Sequence, residues 1–319
     1  MNVPRVAAVV LVIVLVVAVL AALPWYGGPV LLQFGIGVLL MATLAQGWNI
    51  IGGFTGYPSF GNSVFYGLGA YGVGIAMAQF QLPFGVGLLA GLALGVVFAG
   101  VLGLAVLRLK GHYFAICTLG LAFVMTAIVS NLPIAGSNIG LVLPLLKSEV
   151  LFYELALGLL VLATLTVFWL AHNRFGLGLI AIRENEEGAA VMGVNTTRYK
   201  ILAFMLSAAF TSLAGGIYAY YITFIDPVGV FDVVLNVKMI IMAVFGGAGS
   251  VLGPVVGALV LSAISEVLAT RVTSVASLFF GVVIVVAVVF MPRGLAHMSA
   301  HLREAGWRYF LDNVRAHRL

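Results

Sequence analysis

The densest concentration of charged groups in this 319-residue chain is the stretch Arg174–Lys200, which holds seven of its 25 Asp, Glu, Lys and Arg residues. Glu184, Glu186 and Glu187 precede Gly188–Ala189–Ala190–Val191–Met192, and Gly193 interrupts the run. Acids suit the positive end of a short helix, and a glycine just past the end commonly stops one. Asn195, Thr196 or Thr197 can then cap the next helix, which starts near Arg198. These residues predict a short charged surface helix, set between two longer helices by glycines. Taken alone, such a stretch reads as a solvated charged loop, and no catalytic residue is expected in the chain.

Other spacings suggest chemistry and lack its context. Gly67, Gly69 and Gly72 spell G-x-G-x-x-G, but a dinucleotide site needs a strand before, a helix after and an acid some distance on. Those glycines lie inside an apolar stretch with no acid at that offset. No G-x-x-x-x-G-K-[ST] occurs, so the chain has no phosphate-binding loop of its own. Cys117 is the single cysteine, which permits neither an internal disulfide nor a multi-thiolate metal site. No cofactor or metal is expected in this chain.

The elements that must position the charged loop follow from composition. Hydrophobic residues make up 63% of the chain and charged residues 8%, against about 25% charge in an ordinary soluble chain. One soluble core cannot hide that much apolar side chain. A soluble enzyme, a disordered regulator and a disulfide scaffold are excluded, leaving an all-α polytopic transmembrane helix bundle. Ten segments read as spans: Val6–Leu23, Pro29–Ile51, Gly61–Phe80, Phe84–Leu107, Tyr113–Asn131, Leu155–Ala171, Ile201–Ile225, Met239–Phe245, Val251–Ser265 and Thr273–Met291. A span needs about 20 apolar residues, so ten account for the composition. The first could instead be a signal-peptide core, but its length and the spans behind it favour a retained helix.

Orientation follows from Lys and Arg in the short loops. With both termini cytoplasmic, the inner segments hold Arg5, Arg108, Lys110, Arg174, Arg183, Arg198, Lys200, Arg293, Arg303, Arg308, Arg315 and Arg318. Lys147, Lys238 and Arg271 fall outside or at the membrane edge. The net charge of +5 then reflects this bias and attraction to the anionic inner leaflet. It requires no nucleic-acid partner. No ionisable residue falls in the middle of a proposed span, which argues against a proton relay or an ion-coupled carrier. Energy for uphill transport would enter elsewhere, and the cytoplasmic loops are the place for it.

Glycines sort into two kinds. Gly87, Gly91, Gly95, Ala99 and Gly103 recur every four residues, a small-residue stripe for close helix packing. Two other clusters, Gly52–Gly61 and Gly246–Pro254, mix glycines with proline and polar residues. They read either as broken-helix elements beside a solute path or as tight cytoplasmic turns. Tyr57, Ser59, Gly246 and Gly247 from these clusters, with Gln46, Asn49, Asn62, Tyr113 and Thr118, are the candidates to line such a path. Interhelical hydrogen bonding is the more ordinary role for such polar residues.

The charged loop also resembles a known family. Glu187–Gly188–Ala189–Ala190, with Gly193 three residues on, is similar to the coupling loop of ATP-binding-cassette import permeases. The wider run Ala181–Asn195, then Arg198–Phe204, Leu107–Leu119, Gly246–Pro254 and Pro292–Leu295, resembles the LivM-type branched-chain amino-acid permeases in order. The resemblance implies a permease subunit that pairs with a LivH-type permease, two ATPase subunits carrying ATP and Mg, and an extracytoplasmic binding protein. Glu186, Glu187, Ala189, Ala190 and Gly193 carry over as coupling residues, with Arg183 and Glu184 beside them. It implies an ATP-driven importer of branched-chain or hydrophobic amino acids in the inner membrane. Urea, short amides and aromatic acids are alternative cargoes, and an ion-coupled transporter or channel is the alternative of another class. Two positions depart from the family pattern. Gly188 stands where a larger apolar residue is usual, weakening the helix by up to ~1 kcal/mol. Ser137 replaces the second glycine of a usual pair after Ala135. The chain thus divides into a permease domain over 1–295, with its coupling loop at 172–200, and a basic tail over 296–319. The tail reads as an amphipathic helix on the inner leaflet or as a frayed extension.

Overall fold

Apolar sequence becomes helix almost throughout. The computed structural model describes residues 18–146 and 148–271. α1 closes over 18–26, and α2 (Pro29–Trp48) runs on into a π-helical turn, Asn49–Phe54. Then come α3 (Asn62–Ala78), α4 (Phe84–Val106), α5 (His112–Ser130) and α6 (Glu149–His172). The charged loop folds as α7 (Arg174–Glu184) and α8 (Glu186–Val191). α9 (Thr196–Ile222), α10 (Pro227–Val230), α11 (Val233–Gly246) and α12 (Gly253–Arg271) complete the described chain. Helix starts carry their expected chemistry. Proline opens α2 and α10, where a missing N–H costs nothing. Side chains of Ser148, Asn185, Asn195, Asp226 and Asp232 each accept a backbone N–H at an N-terminus.

Six helical stretches among the described residues are long and apolar enough to cross a membrane: Pro29–Phe54, Phe84–Val106, His112–Ser130, Glu149–His172, Thr196–Ile222 and Pro227–Gly246. The expected segments at Gly61–Phe80 and Val251–Ser265 appear as α3 and α12. Of these, α3 has 17 residues, nearly all buried, so it serves as the core rather than as a lipid-facing rod. The expected span at Thr273–Met291, most of Val6–Leu23 and the tail 296–319 lie outside the described residues. One boundary is corrected. Asp232 Oδ1 accepts from Val234 N at 2.9 Å and starts α11 six residues before Met239. Lys238 therefore lies inside the span Pro227–Gly246 rather than at its edge.

The core is the packing of α3 against α4 and α9. The stripe read from the sequence, Gly87, Gly91, Gly95, Ala99 and Gly103, is the buried face of α4. A Cβ on Gly91 would stand 2.6 Å from the Gly69 carbonyl oxygen, and one on Gly69 would stand 1.9 Å from that of Ser212. Two of the three glycines that spell a nucleotide motif thus bring helices into backbone contact, and the third, Gly67, faces the Phe231 ring. Without a hydrophobic driving force between helices in lipid, such close approach supplies dispersion contacts.

The two ends of the bundle differ. At one, the only strands among the described residues, β1 (Leu141–Val142) and β2 (Phe224–Ile225), pair antiparallel, and Tyr153 Oη donates to Leu20 O at 3.0 Å. The other end gathers the segments 52–60, 107–112, 174–200 and 246–251.

A buried ion cluster beneath an exposed helix

At that second end the two glycine clusters meet. Asn49 Oδ1 accepts from Gly249 N at 2.7 Å, while its Nδ2 donates to Ser250 O at 2.9 Å. Gln46 Nε2 donates to Val251 O at 2.6 Å. α11 ends because Gly247 and Gly249 adopt φ of +119° and +79°, conformations that a Cβ disfavours. Arg183 of α7 closes the arrangement, with Nη1 donating to Gly53 O at 3.0 Å and Nη2 held 2.9 Å from Glu184 Oε1. The clusters are turns locked against each other and against the charged loop.

α8 is built as its residues predict. Asn185 Oδ1 accepts from Gly188 N at 2.9 Å, and Glu186 and Glu187 fill the first turn. Gly193 has φ +87°. Gly193 N donates to Ala190 O and Val194 N to Ala189 O, both at 3.0 Å, the paired bonds of a Schellman stop. Asn195 then caps α9, accepting from Arg198 N at 3.0 Å.

The inner side of α8 is pinned by a cluster that sequence reasoning did not assemble. Lys200, in the second turn of α9, is 3% exposed. Its Nζ donates to Glu186 Oε1 at 2.6 Å, to Tyr57 Oη at 2.9 Å and to Leu107 O, past the end of α4, at 2.9 Å. Tyr57 Oη donates to Glu186 Oε2 at 2.5 Å, and the ammonium sits 4.6 Å from the Tyr57 ring centroid. Three donations satisfy the ammonium, and the carboxylate accepts on both oxygens. Burial alone would raise the Glu186 carboxyl; hydrogen bonds from Lys200 and Tyr57, with the charges of Lys200 and Lys110, outweigh it and hold the carboxyl below its ordinary value. Burial, then the bond and charge of Glu186, push the Tyr57 phenol well above its usual range, so it remains a donor.

The outer side of α8 is open. Ala189 is buried against the protein, whereas Glu187, Ala190, Val191 and Met192 are exposed, the last two at 87% and 84%. The Lys110–Glu187 pair, at 3.2 Å, lies at the surface. Such a helix presents acidic and apolar groups outward on a rigid inner mount.

The path candidates have mixed fates. Gln46, Asn49, Ser59, Asn62 and Thr118 are fully buried. Asn62 Nδ2 donates to Ser207 Oγ at 3.0 Å, Thr118 Oγ1 to Phe114 O at 2.9 Å, and Ser59 Oγ accepts from Gly61 N at 3.2 Å. Gly246 is packed against Gly253, with Gly247 as the α11 C-cap. Tyr113 stands apart, 76% exposed. Tyr57 is placed in the ion cluster. Lys200 carried one overlooked signal: a lysine early in a helix opposes the helix dipole and so implies an acidic partner.

Residues 30–288 match the family described as branched-chain amino acid transport system, permease component. The high-affinity branched-chain amino acid transport system permease protein LivM of Salmonella typhimurium is 29% identical over 82% of this chain and 68% of its own length. LivM of Escherichia coli K12 is 28% identical over the same shares. The autoinducer 2 import system permease protein LsrC of Salmonella paratyphi B is 33% identical over 74% of this chain and 70% of its own. No solved structure matches. The match over most of the chain, with its apolar spans, makes this a multi-pass inner-membrane protein that belongs to the branched-chain amino acid transport permease family.

Proposed function

We propose that this chain is the membrane-translocating, non-enzymatic subunit of an ATP-driven importer of branched-chain or hydrophobic amino acids, and that α8 is the element through which partner ATPases move it. The observation that carries this reading is the contrast between the two sides of α8. Its inner side is bound by a buried ion cluster to α9, to the end of α4 and to the loop before α3. Its outer side leaves Glu187, Val191 and Met192 exposed. A force applied there reaches three helices of the bundle without passing through a slack loop. Two ATPases, a second permease subunit and an extracytoplasmic binding protein complete the machine.

The same end is the cytoplasmic one. Two of the four segments that converge there, 107–112 and 174–200, are those in which the positive-inside bias places Arg108, Lys110, Arg174, Arg183, Arg198 and Lys200. This arrangement supports ten crossings with both termini inside. Gln46, Asn49, Ser59 and Thr118 are buried and bonded to backbone groups, which favours a structural role for them over tight solute binding.

Cargo is the finer part of the reading. Likeness to LivM favours branched-chain amino acids, and likeness to LsrC makes autoinducer 2 the second reading. In proteoliposomes holding the whole complex, Glu187→Lys should leave ATP hydrolysis in place and abolish ATP-driven leucine uptake. Unchanged uptake would remove α8 from the mechanism. Autoinducer 2 uptake in place of leucine uptake would decide for the second cargo.

A further inference from the structure

A cavity of about 380 Å³ opens between α2, α11 and α12, within the range of about 300–1,000 Å³ typical of small-molecule sites. Lys238 and Glu266 both line it, together with Gln33, Phe34, Met41 and Met242. It lies away from the ion cluster, on the half of the bundle toward the start of α2. An ionisable side chain within a membrane span is costly and ordinarily marks a solute or ion route. Lys238 is such a group, in the middle of the span Pro227–Gly246.

The register of α11 and α12 sets the axial offset of the two residues. A Cβ on Gly257 would stand 2.0 Å from Met242 O, so the helices touch there. From that crossing Lys238 lies four residues outward, ~6 Å, and Glu266 nine residues, ~13 Å, at 1.5 Å per residue. The two backbones therefore differ by ~7 Å along the bundle, a gap that two long side chains can close around a small dipolar molecule. Gln33 donates to Glu149 Oε1 at 2.9 Å, which adds a second carboxylate beside the cavity. Cation and anion are offset along the axis, and the Phe34, Met41 and Met242 side chains supply an apolar wall.

We infer that this cavity is a transient binding site for a zwitterionic α-amino acid, with the α-carboxylate at Lys238, the α-ammonium at Glu266 and the apolar side chain against Phe34, Met41 and Met242. The inference rests on the transporter reading above and names residues of its solute route. Gln46, Asn49, Ser59, Asn62 and Thr118, expected from the sequence to line a route, are packed inside the bundle, whereas this site opens beside α2.

The test uses the whole complex in proteoliposomes, with Cys117→Ser removing the native thiol and Ser262→Cys placing one in the cavity wall. The rate of modification by a membrane-impermeant methanethiosulfonate is measured with and without leucine. Bound leucine should slow labelling by the factor 1 + [L]/Kd, about threefold at a concentration twice Kd. N-acetyl-leucinamide, which carries neither charge, should leave the rate unchanged. Lys238→Met and Glu266→Gln should each remove the protection, while Lys238→Arg and Glu266→Asp keep it, so that loss cannot be misfolding. A rate insensitive to leucine, protection by the neutral analogue, or protection that survives in both charge-removing variants would overturn the site. Failure of the transporter reading is separately visible as absence of ATP-driven uptake in the unmodified complex.

Discussion

Replacing Lys200 with Met keeps the stem of the side chain and removes the ammonium that joins α8 to the rest of the bundle. Three hydrogen bonds disappear, to Glu186, Tyr57 and Leu107. The Lys200 side chain is 4% exposed and that of Glu186 19%, so solvent screens little of the pair. Removing one partner of a buried ion pair costs roughly 3–5 kcal/mol. Tyr57 still donates to Glu186, and the partly open carboxylate can take up water, so the lower end, about 3 kcal/mol, is the appropriate magnitude. At 1.4 kcal/mol per decade, the ratio of anchored to released α8 falls about a hundredfold. A released α8 can still meet an ATPase but no longer pulls on α9 and α4. The assay is leucine uptake and phosphate release, measured together in proteoliposomes of the full complex. Lys200→Met should lower uptake per ATP by at least about tenfold, a conservative share of that population shift. Lys200→Arg should retain most of it. A merely structural role would reduce the amount of assembled complex and leave the ratio unchanged. An unchanged ratio in Lys200→Met would refute the anchoring argument.

Further expectations follow from the same geometry. Lys110→Ala removes an ion pair whose side chains are 60% and 85% exposed; surface pairs contribute little, so melting temperature and uptake per ATP should both match the unsubstituted protein. Because Glu186 is held below its ordinary value in the folded state, its stabilising contribution is present above the ordinary carboxylate range. That contribution is lost as pH falls through the depressed folded value. Hydrogen exchange across α8 should therefore stay slow to the acid side of ordinary carboxylates and then rise, with Glu186→Gln fast throughout. Gly69→Leu should separate α3 from α9, where a Cβ already meets a backbone oxygen at 1.9 Å, and cost several kcal/mol. Gly120→Leu, with nothing within 4 Å, should be tolerated; detergent melting curves compare the two. Ser137 has φ +52°, a left-handed conformation costing roughly 1–2 kcal/mol for a residue with a Cβ. Ser137→Gly should raise the melting temperature slightly, the gain reduced by the ~0.4–1 kcal/mol of added chain entropy.

Local rules made much of this protein legible before any coordinates. The α4 stripe could be read because four-residue spacing of small side chains has one geometric meaning. α8 could be read because its acids, its asparagine cap and Gly193 each satisfy unpaired groups at a helix end. The usual glycine pair, broken at Ser137, also gained its reason, since both Gly136 and Ser137 have positive φ. What stayed hidden was contact between distant segments. Tyr57, Leu107, Glu186 and Lys200 come from four parts of the chain, and nothing in spacing says that they share a proton network. By sequence Tyr57 belongs with the polar path residues, because a tyrosine in a glycine-rich turn has no local signature of an ionic partner. The rule that keeps cations out of lipid predicts Lys238 at a membrane edge. The cap at Asp232 outranks that rule by starting α11 earlier.

The central claim, that this chain moves solute only when ATPases act on it, is tested most directly by reconstituting it in stages. Leucine uptake into proteoliposomes should be absent with the chain alone, under sodium and proton gradients included. It should appear with ATP when the second permease, the ATPases and the binding protein are all present. Gradient-driven uptake by the chain alone would contradict the account.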